Sequence, residues 1–286
     1  MARGTSDPPV VARVVRSGAR RAALAIPPIR RLVGDRDRAR TQLRAAKAEL
    51  SQLRAAKAEL TRLGPLVAFD RDDLQYVFVV TYGRSGSTLV QGLLNAIDGY
   101  QIRGENYGAT IRLYRTWARL EEARGNFHTV AHTPEHPWYG VDGFDRELAR
   151  ARTRQLVLAS ILRPGPAVRV TGFKEIRWWP SDFEAYLRWM RATFPGARFI
   201  INTRDPGSVL ASEWWADKEP AKARRQLEDY ERKLDTLARM FPDDTFRLHY
   251  DDYMADPGVL EGLYRWLGEP WNSERVGEVM ARKHSY

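Results

Sequence analysis

Four short apolar segments constrain the fold of this chain more than any other feature. Each reads as a short apolar strand, and continuous rather than alternating apolarity, clearest in Tyr76–Thr81, indicates strands that are buried on both faces. Segments with helical composition separate them, and such an alternation is typical of a parallel sheet covered by helices. The segments are Tyr76–Thr81, Val168–Phe173, Arg198–Thr203 and Thr245–Tyr250, with a long insert at 100–167 between the first two. The sequence therefore predicts an α/β domain of three layers with a central, mostly parallel sheet.

Two N-terminal segments precede this domain, which we place at residues 74–286. Residues 35–64 contain the direct repeat TQLRAAKAEL and SQLRAAKAEL, whose composition predicts a helix. Its leucines are spaced 7, 3, 7 and 3 residues apart, at Leu43, Leu50, Leu53, Leu60 and Leu63. This spacing is close to that of a coiled-coil seam, which favours self-association of the chain; a solvated helical spacer is the alternative.

Residues 1–34 form a basic segment with intervening apolar residues. Arg13, Arg16 and Arg20 fall on one face of a hypothetical helix, so the segment has the pattern of a helix that lies on an anionic membrane surface. A disordered basic tail has the same composition, and both interpretations remain open. We expect a cytoplasmic protein, with this segment as a candidate contact to the inner face of the membrane.

The distribution of charge excludes several functional classes. The net charge is +10, and residues 1–63 hold 15 Lys and Arg against 5 Asp and Glu, whereas the remaining residues hold 31 of each. Because the α/β part is neutral, a nucleic-acid partner is disfavoured. The chain has no Cys and five scattered His, so we expect neither disulfides nor a bound metal.

A glycine-containing loop directly follows the first strand. It reads Gly83-Arg84-Ser85-Gly86-Ser87-Thr88 and leads into a predicted helix over Leu89–Ile97. A strand, a glycine-containing loop and a helix form an anion cradle, because backbone N–H groups converge there and the helix N-terminus adds positive potential. The loop lacks the Lys of the GxxxxGK[ST] motif, which argues against a nucleotide kinase with a P-loop-like fold.

A second anion site is predicted after the third strand. Arg204 ends that strand, Asp205 is a suitable N-cap, and Pro206 suits the first helical position. In the predicted helix, Ser208 and Ser212 are four residues apart and share one face. An arginine together with a serine hydroxyl can bind a phosphate through charge-assisted hydrogen bonds.

Together these two segments resemble the sulfotransferases that use 3′-phosphoadenosine-5′-phosphosulfate (PAPS). The resemblance covers roughly residues 76–286 and is nearest to the bacterial and carbohydrate-directed branch, which has Arg-Ser-Gly in the loop where cytosolic relatives have Lys-Ser-Gly. It implies a P-loop-like α/β fold, PAPS as sulfuryl donor and desulfated PAP as product. YDDYMADP (Tyr250–Pro257) and the terminal Arg282-Lys283 add to the likeness. The resemblance implies that the 5′-phosphosulfate binds to Arg84, Ser85, Gly86, Ser87 and Thr88, and the 3′-phosphate to Arg204 and Ser212.

The reaction needs a base, and cations that neutralise charge on the leaving oxygen. Glu105 is the leading candidate for the base, because carbohydrate-directed relatives have a glutamate shortly after the first helix in this role. Arg84 and Lys174 are the candidate cations. The alternative bases are Glu175 and the insert histidines His128, His132 and His136.

The acceptor is predicted less directly. The pairs Trp178–Trp179 and Trp214–Trp215 follow two strand ends, and flat aromatic faces suit sugar rings. This favours a hydroxyl of a glycan or glycolipid as acceptor; core packing is the other explanation of the tryptophans. A non-catalytic, membrane-docked coiled-coil scaffold is a further alternative for the whole chain, against which the intact Arg84, Arg204, Ser212 and Glu105 argue.

Overall fold

The structure is a computed structural model that describes residue 35, residues 38–54 and residues 71–282. The chain divides into two units, residues 1–67 and residues 68–286, and each is described by itself. In the first unit residues 38–54 form a helix, α1, as the repeat predicts. Its side chains Leu43, Leu50 and Leu53 are 55%, 48% and 61% exposed. The predictions for residues 1–34, and those for Leu60 and Leu63, lie outside the described residues.

The second unit is built around a parallel sheet of five strands. Every pair of neighbouring strands is parallel, and the order is β2-β3-β1-β4-β5. The strands are β1 (Gln75–Thr81), β2 (Tyr100–Arg103), β3 (Val170–Glu175), β4 (Arg198–Thr203) and β5 (Thr245–His249). The predicted α/β class and parallel sheet are therefore confirmed.

One strand, β2, was not predicted. It is only four residues long and lies at the edge of the sheet, where it pairs with β3 alone. Tyr100 and Ile102 are buried while Gln101 and Arg103 are partly exposed, so apolar and polar residues alternate over only four positions. The length of β2 rather than its edge position weakens the pattern, because the other edge strand, β5, was predicted.

Helices cover both faces of the sheet. Along β1, Tyr76, Phe78 and Val80 belong to one buried cluster and Val77 and Val79 to another, as the period of two in a strand requires. The first cluster includes side chains of α3 (Ala109–Phe127), α4 (Arg146–Val157), α5 (Phe183–Thr193) and α8 (Pro220–Met240). The second includes side chains of α2 (Ser87–Asn95), α9 (Tyr250–Ala255), α10 (Leu260–Leu267) and α11 (Ser273–Met280). The result is the three-layer arrangement that the sequence predicts.

Two short helices, α6 (Pro206–Leu210) and α7 (Glu213–Ala216), follow β4. Short irregular turns of helix occur at Val141–Gly143, Leu158–Leu162 and Pro257–Val259. Within the described parts of the chain, no helix has both the length and the apolar character needed to cross a bilayer.

Candidate active site

The carboxyl ends of all five strands meet at one edge of the sheet, and a cavity of about 520 Å³ lies there. We call it the loop compartment. Each strand supplies residues to its lining: the loop Gly83–Thr88 after β1, Glu105 after β2, Lys174 in β3, Arg204 after β4 and Tyr250 after β5. In open parallel sheets ligands bind at this edge, so the compartment is the candidate active site.

The loop after β1 has the backbone of an anion cradle. Arg84 and Gly86 have positive φ values of 70° and 83°. A side chain at Gly86 would also place its Cβ 2.1 Å from a ring carbon of Tyr250, so only glycine fits. Helix α2 begins at Ser87 without a side-chain cap, which leaves its first N–H groups for an anion.

Ser85 has a different environment from its neighbours in the loop. Its side chain is fully buried, and its hydroxyl is hydrogen-bonded to that of Thr81 at 2.6 Å. Its carbonyl accepts a hydrogen bond of 2.7 Å from the side-chain amide of Asn202 in β4. Ser85 therefore ties the loop to the sheet and, unlike Arg84 and Gly86–Thr88, is not part of the compartment lining.

Two arginines that follow different strands reach the loop compartment. Arg84 forms an ion pair of 3.1 Å with Glu213, and Arg204 stacks its guanidinium over the Tyr250 ring at 4.5 Å. Arg204 also donates a hydrogen bond of 3.3 Å to the carbonyl of Arg84. The Nε atom of each arginine is buried and has no hydrogen-bond partner among the described residues. A buried donor without a partner is costly, so this pair suits an anionic ligand.

The predicted base and one predicted cation form an ion pair. The Nζ of Lys174 donates a hydrogen bond of 2.8 Å to one carboxylate oxygen of Glu105, and Arg177 Nη1 donates one of 3.1 Å to the other. The Lys174 side chain is only 8% exposed, whereas that of Glu105 is 33% exposed and can reach a ligand. Two cations thus fix the orientation of the carboxylate.

Glu175, the alternative base, is buried and hydrogen-bonded to the backbone, unlike Glu105. It is 1% exposed, and its carboxylate accepts hydrogen bonds from backbone N–H groups. The donors are Asn106, Gly108, Ile176 and Arg177, at 2.8–3.0 Å. These bonds hold the segment after β2 against the end of β3, and therefore support the position of Glu105.

The segment after β4 differs from the prediction at one point. Asp205 caps α6 by accepting a hydrogen bond from the Ser208 N–H, as predicted, and this bond lowers the Asp205 pKa. The predicted continuous helix through Ser212 is wrong, because α6 ends at Leu210 and Ser212 precedes α7. Its hydroxyl donates to the carbonyl of Val209, so Ser208 and Ser212 do not share one helical face. Ser212 is absent from the lining of the loop compartment as the structure describes it.

A second cavity of about 580 Å³ adjoins the loop compartment. The two share Gly83, Ile176 and Trp214. We call it the aromatic compartment, because its lining includes Tyr107, Trp179, Trp214 and Tyr230, together with Arg112, Arg115 and Arg177. The insert histidines His128, His132 and His136 line neither compartment.

The tryptophan pairs are divided between core and cavity. Trp178 is fully buried and donates to the carbonyl of Glu175, while Trp179 lines the aromatic compartment and stacks on Tyr230 at 4.2 Å. Likewise Trp215 is 1% exposed, while Trp214 is 39% exposed. One member of each pair therefore packs in the core, and the other is available to a ligand.

The sequence did not single out several lining residues. Glu213, Arg177 and Tyr107 lie in loops or short helices, and their positions depend on contacts with distant segments. Lys218, which lines neither compartment, lies over the rings of Trp214 and Trp215, and burial lowers its pKa. Of the terminal basic pair that the sequence did single out, Arg282 lines the loop compartment, whereas Lys283 lies outside the described residues.

Comparison with protein families identifies the class to which this fold and site belong. The family described as "Sulfotransferase family" matches residues 76–273, more than half of the chain. The chain belongs to the sulfotransferase family and is an enzyme of sulfuryl transfer, as the sequence predicted. Sulfotransferases act on hydroxyl acceptors, and the family generally uses PAPS as donor.

Several solved structures are similar at low identity. The sulfotransferase domain of the Synechococcus PCC 7002 olefin synthase has 19% identity and a TM-score of 0.48, over 75% of this chain and 80% of that one. A Mycobacterium avium sulfotransferase has 17% identity and a TM-score of 0.41, over 78% and 71%. A Mycobacterium tuberculosis sulfotransferase has 17% identity and a TM-score of 0.41, over 80% and 76%. No curated protein matches the sequence at a significant level.

Proposed function

We propose that this enzyme transfers the sulfuryl group of PAPS to a hydroxyl of a glycan or glycolipid. One observation carries the choice of donor: Arg84 and Arg204 line the same compartment. Each has a buried Nε that lacks a partner among the described residues. PAPS has anionic groups at two ends, and two separate arginines suit it. The uncapped start of α2 adds backbone donors for the phosphosulfate end.

Within this proposal the residues of the loop compartment divide the donor between them. Arg84, Gly86, Ser87 and Thr88 hold the phosphosulfate end, and Arg204 holds the 3′-phosphate. Ser85 acts through the loop backbone, because its hydroxyl is bonded to Thr81. Ser212 remains part of the proposed 3′-phosphate site, but its role there is to order the turn around Val209. Its hydroxyl donates a hydrogen bond to the Val209 carbonyl.

The transfer step follows from these positions. The Glu105 carboxylate takes the proton of the acceptor hydroxyl as the new O–S bond forms. The S–O bond to the 5′-phosphate of the donor breaks, and PAP leaves with that electron pair. Arg84 and Lys174 stabilise the negative charge on the leaving oxygen. Lys174 is suited to this task, because its ammonium is nearly buried beside Glu105. The proposal retains the expectation that no metal takes part.

The acceptor site of this proposal is the aromatic compartment. It adjoins the loop compartment at Gly83, Ile176 and Trp214, so an acceptor there lies next to the donor. Trp179 and Trp214 offer ring faces on which a sugar can stack. For the N-terminal residues we keep two further proposals, self-association through residues 35–64 and binding of residues 1–34 to an anionic membrane.

Calorimetric titration tests the donor. We expect PAP to bind more tightly than ATP–Mg²⁺, and Arg204→Ala to weaken PAP by about 100-fold, since a charge-assisted hydrogen bond contributes about 1.5–3 kcal/mol. Arg265→Ala is the control, because Arg265 is 78% exposed and lines neither compartment. Preference for ATP–Mg²⁺ would overturn the proposal.

A further inference from the structure

The aromatic compartment has an unusual balance of charge. Arg112, Arg115 and Arg177 line it, and none of its described lining residues is Asp or Glu. By contrast, the loop compartment includes Glu105 and Glu213 in its lining. The aromatic compartment therefore has a positive potential, although the α/β domain as a whole is neutral.

Two of these cations are free. Arg112 and Arg115 are exposed, and neither guanidinium forms a hydrogen bond, an ion pair or a ring contact with any described residue. They lie three residues apart on α3, so they occupy one face of that helix. Arg177 is committed, because it pairs with Glu105 and lies over the Tyr107 ring at 4.5 Å. The other exposed arginine of this helix that does not line the cavity, Arg119, is paired with Glu122.

Flat rings line the same cavity as this pair of cations. Trp179 is held by its stacking on Tyr230 and by a hydrogen bond of 2.8 Å from its ring N–H to the carbonyl of Ile176. Trp214 is stacked on the buried Trp215 at 4.7 Å. Both rings are therefore fixed before a ligand binds, which lowers the entropic cost of stacking a sugar on them.

We propose that the acceptor is a hydroxylated sugar ring that carries an oxyanion, a carboxylate or a sulfate, bound by Arg112 and Arg115 while the ring stacks on the aromatic wall. This inference rests on the proposed function, in which the acceptor occupies this compartment. Guanidinium groups bind planar oxyanions through paired N–H donors, and the absence of acidic lining residues removes competition for them. A neutral glycan would leave both cations without a partner.

Two matched pairs of probes test the proposal. The first pair is p-nitrophenyl β-D-glucuronide and p-nitrophenyl β-D-glucoside, which differ in the carboxylate. The second is the 6-sulfated and the unsulfated p-nitrophenyl N-acetyl-β-D-glucosaminide. Each probe is titrated calorimetrically into the full chain, with and without saturating PAP, and then tried as an acceptor with PAPS.

We expect at least one anionic probe to bind about tenfold more tightly than its neutral partner at low salt, and the difference to shrink as salt screens it. Arg112→Gln or Arg115→Gln should remove most of the preference, whereas Arg119→Gln on the same helix should retain it. PAP affinity should be equal in all three variants, because these residues lie outside the loop compartment.

The outcomes separate the two proposals. If neither anionic probe binds more tightly than its neutral partner, or if the Arg112 and Arg115 variants keep the preference, the inference about the acceptor is wrong. If PAP fails to bind while the anionic preference is present, the proposed donor is wrong and the charge selectivity of the compartment still holds.

Discussion

Replacement of Glu105 by Gln is the sharpest test of the mechanism. The amide has nearly the same shape and can still accept a hydrogen bond from Lys174, but it cannot take a proton. A positioned general base contributes about 10²–10⁴ to a rate, so we expect kcat to fall by that factor, or about 3–5.5 kcal/mol in activation free energy.

The structure also indicates how much stability the variant loses. Breaking a buried ion pair costs about 3–5 kcal/mol, yet Glu105 is 33% exposed and the amide oxygen remains an acceptor for Lys174 at the present 2.8 Å. Allowing for solvent screening, we expect a loss of about 1 kcal/mol, or a few degrees in melting temperature. Such a loss leaves the protein folded at 25 °C and does not explain a 100-fold fall in turnover.

The assay follows transfer from sulfur-labelled PAPS to the best acceptor of a glycan panel, alongside calorimetric titration with PAP and a thermal melt. Glu105→Asp keeps a carboxylate with shorter reach and should retain part of the activity. Glu122→Gln is a matched control, because Glu122 is 56% exposed and its ion-pair partner among the described residues is Arg119 on the surface. A Glu105→Gln enzyme with kcat within threefold of the wild type would refute the role of base. A parallel loss of PAP affinity would indicate a structural role instead.

Four further outcomes are expected. Glu213→Gln should tighten PAP binding about threefold at low salt, because the carboxylate that now pairs with Arg84 would no longer compete with the donor. Gly86→Ala should abolish measurable PAP binding and lower the free energy of unfolding by about 1–3 kcal/mol, since its Cβ would overlap the Tyr250 ring at a positive φ. Turnover should be unchanged in EDTA. Removal of residues 1–63 should leave PAP binding intact and abolish chemical cross-linking between copies of the chain.

Each of these has a contrary result that is equally measurable. Weaker PAP binding in the Glu213 variant would indicate that this carboxylate positions Arg84 for the donor. Gly125→Ala, in helix α3 with open space around its Cβ, is the control for Gly86→Ala and should not lower stability. A turnover that EDTA removes would mean that a metal takes part, and equal cross-linking of the long and short chains would exclude the coiled coil.

Much of the scaffold follows from local sequence patterns. The strands β1, β3, β4 and β5 were predicted, and their predicted bounds differ from the observed ones by at most two residues at either end. The edge strand β2 was missed because it has only four residues, in which the apolar Tyr100 and Ile102 alternate with Gln101 and Arg103. Helix α6 was extended too far, since the pattern of Ser208 and Ser212 permits a helix that the turn at Ala211 interrupts. A turn stabilised by tertiary packing leaves little local signal.

The candidate site divides in the same way. By itself, the sequence determined a glycine-containing loop after a buried strand and an arginine at the end of another, because the residues of each motif are adjacent in the chain. Only the tertiary structure joined Glu105 to Lys174, which are 69 residues apart, and Arg84 to Glu213. It also turned Ser85 into the sheet and divided each tryptophan pair between core and cleft. These outcomes depend on strand order and on packing between distant segments, which no local periodicity encodes.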